Sequence, residues 1–380
     1  MEQVRRMLQE QVNAGILPGA VALRSRRGHP DTVAVGVQDL ESRFPMSSQT
    51  LFHWDSLGKP LTAALALTFV AEGSLDLDSP VERWLPELSG QRVLIDPGGQ
   101  LTETVPLQRP VTVEDLLTLR GGLGFTTDFE SPFTAALMTE LQEGPGPRSL
   151  DRESFLKSAG RLPLAHQPGD GWTYNAGSTL MGLLLERVGD QALDALMAER
   201  ILEPLEMRDA RWWVPPSEVP RFASRYGHTD DTHAPLQLID SPDGQYARPP
   251  SFPDGAGGLI GTAEDWFTFG QMLLDGGRSH GHQVLPGHLV TRLLTDHLTA
   301  SQRRQAGFFL ADGEGWGYGG SVRCDGSYGW TGGAGTSARV HPNRGEVSIL
   351  LTQVALDGPQ GSPFIAEFED LVNRELDNRP

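Results

Sequence analysis

The chain has a single cysteine, Cys324, in 380 residues. An intramolecular disulfide and a cysteine-built metal cage are therefore excluded. Basic residues are scarce beside acidic ones: 31 Lys and Arg against 49 Asp and Glu leave a net charge of −18. That balance argues against nucleic acid or an anionic membrane as the main partner. No apolar run is long enough to span a bilayer, and Leu61–Val70 falls far short. The stretch Met1–Leu8 lacks the apolar core and small-residue cleavage site of a secretory signal, so the sequence reads as cytoplasmic. Several catalytic signatures are also missing. Ser56 does not stand in a G-x-S-x-G elbow, since Trp54 precedes it by two residues, and there is no H-E-x-x-H and no P-loop. Gly315–Gly320 lacks the strand-to-helix context of the dinucleotide pattern, and the ten histidines are scattered without suggesting a triad.

What is present fits a globular protein with a real core: 38% hydrophobic and 21% charged residues. The 45 glycines and 28 prolines are spread throughout, which implies many turns rather than a disordered tail. A helix is expected over residues 2–14, then a β-hairpin from Ala20–Arg24 and Thr32–Val37 around Arg27–Asp31. Further helices are expected at Leu61–Val70, Val111–Leu119 with Thr112 as cap, Phe133–Leu141, Arg152–Ala159, Gly177–Val188, Ala192–Ile201 and Ala263–Leu274. The last fifth is strand-like: Tyr318–Arg323, Tyr328–Trp330, Thr336–His341 and Val347–Gln353, followed by a helix over Pro363–Glu375. This order predicts an α/β protein of the α+β type, with an antiparallel sheet built from both chain ends and flanked by helices. The sheet domain is expected to combine residues 1–85 and 255–380. A mostly helical domain, 86–254, would contribute loops lining the cleft.

The candidate chemistry begins at Phe52-His53-Trp54-Asp55-Ser56-Leu57-Gly58-Lys59-Pro60, which runs straight into the Ala/Leu-rich helix. Ser56 and Lys59 lie three residues apart, so on a helix they share one face. A neutral amine there can take the serine proton, and the helix N-terminus supplies positive charge where an oxyanion would form. Taken alone, S-x-x-K is a weak signal and is better read as a helix cap beside a solvated lysine; the rest of the chain changes that balance. A second stretch, Pro168–Ser178, holds Tyr174 at a turn before a helix, where its phenol can act as general acid/base or simply pack. A third, Tyr328–Ser337, has closely placed glycines that let a ligand reach the backbone, or that only shape a hairpin. Asp230, Asp231 and His233 form a weak metal candidate in a polar loop.

Together and in this order, the three stretches resemble the serine β-lactamase and penicillin-binding-protein superfamily, and within it most nearly the β-lactamase-like carboxylesterases. Ile16–Ala20, Gly36–Asp39, Leu75–Val81, Thr112–Thr118 and Gly257–Ala263 extend the resemblance over nearly the whole chain. It implies Ser56 as acylated nucleophile, Lys59 as proton partner, and Tyr174 as the tyrosine that shares base duty and protonates the leaving group. It places Trp330, Thr331 and Gly332 on the substrate-binding strand. It makes the backbone N–H groups of Ser56 and Gly333 the oxyanion hole, and implies neither metal nor organic cofactor.

Two departures matter. Asn175 follows Tyr174 directly, one place earlier than in the family's Y-x-N motif, and is the candidate for its amide contact. Trp330 stands where penicillin-recognising members carry Lys or His. An indole carries no positive charge to pair with a carboxylate, so an apolar wall suited to an uncharged ester is expected. The reading is a serine carboxylesterase acting on a small-molecule ester or amide. A β-lactamase or D-amino-acid peptidase, an acyltransferase on the same fold, and an inactive binding protein are the alternatives. The sequence leaves the natural substrate and the oligomeric state open.

Overall fold

Val4, Met7 and Leu8 recur at helical spacing, and helix α1 (Glu2–Asn13) buries all three. In this computed structural model, which describes residues 1–26, 28–144, 146–228, 235–356 and 362–377, α1 leads into the hairpin of β1 (Gly19–Arg26) and β2 (His29–Gly36). Pro30 is tolerated in β2 because that strand forms the sheet edge. Helices α2 (Lys59–Ala71), α3 (Ala176–Gly189) and α4 (Ala263–Leu274) follow. The chain then returns to the sheet with β3 (Gly315–Trp316), β4 (Ser321–Val322), β5 (Tyr328–Gly332), β6 (Thr336–His341) and β7 (Glu346–Thr352). Helix α5 (Pro363–Asp377) closes the described chain.

The seven strands pair antiparallel in the order β3-β4-β5-β6-β7-β1-β2, so N- and C-terminal strands meet at β7 and β1. Side chains alternate across the sheet. Ala20, Ala22 and Leu350 pack outward against α1 and α5, with Val4, Leu8, Phe364 and Phe368. Val21, Leu23, Ile349 and Leu351 face the larger core with α2 and α4. The α+β architecture expected from the sequence is thus present.

One expected strand differs. Residues 318–323 do not form a continuous strand; β3 and β4 are two-residue pieces joined by a turn in which Gly319 has φ +71°. A Cβ on Gly319 would sit 2.5 Å from the carbonyl oxygen of Lys59. The turn exists because the loop must pass hard against the start of α2. Ala192–Ile201 also splits, into an α-helical piece (Leu193–Met197) and a π-helical turn. Thr112 does cap its helix, accepting from the Asp115 N–H in a capping box. Asp230, Asp231 and His233 lie outside the described residues. Among the described residues, no His/Cys/Asp/Glu group could hold a metal and no helix is long and apolar enough to cross a membrane.

His341, on β6, carries a pH prediction. Burial pushes its imidazole down from 6.5 to about 4, against the attraction of Asp325 and with the help of Arg344, Arg339 and Arg323. The unfolded chain takes up the proton near pH 6.5 and the folded one only near pH 4, so stability is lost as pH falls through that window. A shift of this size corresponds to roughly 3 kcal/mol. Asp265, pushed up to about 6 mainly by burial, works in the opposite direction. The comparison with His341→Gln isolates the histidine: urea unfolding at pH 7 and pH 4.5 is expected to show a smaller acid loss in the variant. An equal loss in both proteins would count against it.

Candidate active site

The segment bearing Ser56 is held from several sides. Phe52 and His53 pair with Gly261 and Ile260, and the Trp54 N–H donates to the Leu259 carbonyl at 2.8 Å. Gly261 leaves no room for a side chain, since a Cβ would lie 2.4 Å from the Trp54 ring. The chain then turns at Asp55 with φ +47°. Such a conformation is uncommon outside glycine and tolerated best by Asp and Asn. Arg225 secures it with an ion pair to the Asp55 carboxylate at 3.1 Å. His53, buried behind this pair, is held well below its ordinary range by burial and by the charge of Arg225. A 3₁₀ turn (Asp55–Gly58) carries Ser56 and passes directly into α2, whose first residue is Lys59. Sequence spacing anticipated the shared face; the 3₁₀ start, with i and i+3 nearly eclipsed, tightens it.

Lys59 is 1% exposed. Its Nζ donates to Ser56 Oγ at 2.9 Å, to Asn175 Oδ1 at 2.7 Å and to the Ala256 carbonyl at 2.6 Å. The Tyr174 hydroxyl donates to the same Ser56 Oγ at 2.8 Å. Tyr174 is placed by mutual backbone hydrogen bonds with Phe125, each 2.8 Å. Gly124, with φ +145°, allows that approach, because a Cβ would lie 2.5 Å from the Tyr174 carbonyl oxygen. The Tyr174 ring sits among Trp172, Phe309, Trp316 and Trp330, and Lys59 Nζ lies 4.7 Å from its centroid. Four residues singled out in the sequence thus converge within hydrogen-bonding distance, although more than a hundred positions separate the two pairs.

Asn175 answers the question raised by its early position. Its φ of +87° swings the amide back onto Lys59. The strain, about 1–3 kcal/mol for such a residue, is the kind stored at functional sites. Gly333 and Ser56 both line a cavity of about 340 Å³, within the range of small-ligand sites. Phe125, Phe129, Met138, Phe252 and Phe309 supply much of its apolar wall.

Trp330 is not part of that wall. It is 8% exposed and lies behind Tyr174, donating its indole N–H to the phenol oxygen at 2.7 Å. The expected apolar surface comes from the phenylalanines instead, because the β5 register points Trp330 at Tyr174 rather than into the opening. Thr331 and Gly332 stand outside the cavity lining too. Thr331 pairs with Ser337, and Gly332 packs so tightly on the Trp54 carbonyl that a Cβ would lie 2.3 Å away. The sequence offered no signal for Glu143, Arg148 or Asp254, which also border the cavity. They sit in segments legible only as breaks between helices.

The family model described as Beta-lactamase matches residues 4–367. Esterase EstB from Burkholderia gladioli is 31% identical over 379 residues, covering 92% of this chain and 89% of the relative. Among solved structures, EstCE1, described as a hydrolase with promiscuous acyltransferase activity, matches with a TM-score of 0.82 at 23% identity, covering 98% of this chain and 97% of that one. Simvastatin synthase from Aspergillus terreus matches with a TM-score of 0.82 at 20% identity, covering 100% and 99%. At those identities the two structures speak for the fold alone. The near-complete family match and the EstB relationship go further: the chain belongs to the Beta-lactamase family.

Proposed function

We propose that this protein is a serine hydrolase that cleaves small, uncharged carboxylic esters through an acyl-Ser56 intermediate. The observation that carries the reading is the convergence of Lys59 Nζ, at 2.9 Å, and Tyr174 Oη, at 2.8 Å, on Ser56 Oγ at the edge of an apolar-walled cavity. Ser56 Oγ attacks the ester carbonyl while its proton passes to the Lys59–Tyr174 pair. The carbonyl oxygen becomes an oxyanion facing the backbone N–H groups of Ser56 and Gly333. Collapse expels the alkoxide, which takes a proton from Tyr174, and water then releases the acid by the same steps in reverse. Trp330 stabilises negative charge on the Tyr174 oxygen through its indole N–H. The esterase name of the EstB relative supports this reading.

Acyl transfer to an alcohol is the second reading. Both reactions share the acyl-enzyme, and the acyltransferase activity named for EstCE1 motivates it. The test of the main reading is intact mass after treatment with a fluorophosphonate. One adduct is expected, mapping to the peptide that contains Ser56; an unmodified protein would refute the reading. A panel of p-nitrophenyl esters beside nitrocefin tests the substrate class. With Trp330 in place of a cation, a charge-assisted contact worth about 2–3 kcal/mol is absent, so esters are expected to be favoured by roughly a hundredfold in kcat/KM. Comparable turnover of both would favour the β-lactamase alternative.

A further inference from the structure

Lys59 is enclosed by a ring of polar groups that the reaction scheme above does not use. Two of its acceptors are Asn175 Oδ1 and the Ala256 carbonyl. On one side, Asn175 Nδ2 donates to Glu143 Oε2, and the other Glu143 oxygen accepts from Arg148 Nη2 at 2.6 Å. On the other side, Arg148 Nη1 donates to Asp254 Oδ2, while Asp254 Oδ1 accepts from the Ala256 N–H at 2.8 Å and from Thr179 Oγ1 at 2.8 Å. The chain of contacts closes on Lys59 through the Ala256 residue. The Glu143 side chain has no solvent exposure, and that of Arg148 has 6%.

The chemistry turns on which end of the Asn175 amide faces Lys59. An amine nitrogen has four tetrahedral positions. One is the Lys59 side chain, and two N–H groups go to Asn175 Oδ1 and the Ala256 carbonyl. The fourth then points at Ser56 Oγ, as a lone pair when the amine is neutral and as an N–H when it is charged. A reversed amide would aim Nδ2 at Lys59, either repelling its N–H or occupying the lone pair that must take the serine proton. A carboxylate can only accept. Glu143 therefore draws Nδ2 to its own side and leaves Oδ1 for the lysine. Arg148 holds Glu143 in place, its planar fork bridging Glu143 and Asp254 in a geometry that lysine cannot copy.

We infer that Glu143 is a positioning residue for the acylation step: by fixing the orientation of the Asn175 amide, with Arg148 as its clamp, it reserves the fourth position of the Lys59 nitrogen for Ser56. This rests on the reading of Ser56 as nucleophile and Lys59 as its proton partner. The test is a cycle of wild type, Glu143→Gln, Asn175→Ala and the double variant. Each is followed by ester kinetics, the rate of fluorophosphonate labelling, and Tm as a check on folding. Glutamine has one acceptor oxygen to share between Arg148 and Asn175, so the amide loses its fixed direction. Glu143→Gln alone is expected to lower kcat and the labelling rate on the order of tenfold, with KM changed less than about twofold. In the Asn175→Ala background the same substitution is expected to change either rate less than about twofold, since Glu143 acts through that amide. Arg148→Lys is a second entry to the same cycle should Glu143→Gln fold poorly, with the same pattern expected. Equal losses in both backgrounds, or a loss confined to KM, would overturn the inference while a labelled Ser56 leaves the hydrolase reading intact. A wild type that takes no label would overturn both.

Discussion

Ser56→Ala is expected to lower kcat for a p-nitrophenyl ester by a factor on the order of 10⁵, the cost typical of removing the nucleophile from a coupled catalytic unit. The argument is geometric. Both Lys59 Nζ and Tyr174 Oη touch Ser56 Oγ. Its removal leaves Lys59 two of its three acceptors, Asn175 Oδ1 and the Ala256 carbonyl, and leaves Tyr174 its indole donor. The substitution deletes a single oxygen beside the cavity, so the fold should persist and Tm should stay within a few degrees. Residual turnover would come from binding and backbone N–H groups alone. Initial rates on highly purified protein, with parallel fluorophosphonate labelling, make the measurement. A variant that retains a tenth of wild-type activity would remove Ser56 from the mechanism.

The second large effect is expected at Lys59. Lys59→Met keeps much of the side-chain volume and deletes the amine, and kcat should fall on the order of 10⁴-fold, the upper range for loss of a general base. Combining it with Ser56→Ala should cost little more than Ser56→Ala alone, because residues acting as one unit are not additive. The labelling rate should fall with kcat, since both need a deprotonated serine. Stability behaves differently. A buried amine must be desolvated, and its acceptors recover only part of that cost, so Lys59→Met is expected to unfold no earlier than wild type by more than a few degrees. A variant that labels as fast as wild type would assign the base role to Tyr174 alone.

How much of this was legible beforehand varies by element. The amphipathic spacing of α1, the Thr112 cap, the hairpin of β1 and β2, and the strands β5 to β7 follow local rules of periodicity and capping. The interval from Ser56 to Lys59 was readable because three residues on a helical path decide it. Residues 318–323 misled the same rules. Their composition is that of a strand, yet the need to pass against the Lys59 carbonyl turns them into a glycine-bent loop.

From its sequence alone, then, this chain declares the local chemistry: a serine and lysine one turn apart, a tyrosine before a helix, a glycine-rich strand, and a tryptophan where a cation is expected. The tertiary structure decided what those groups touch. It turned Trp330 onto the Tyr174 oxygen rather than into the cavity, and it swung Asn175 onto Lys59 through a strained backbone. It also brought Glu143, Arg148 and Asp254 around the lysine from segments with no recognisable pattern. The physical reason is range. Helical and strand periodicity act between near neighbours, whereas the direction of a side chain and the far end of its hydrogen bonds depend on packing between segments up to two hundred residues apart.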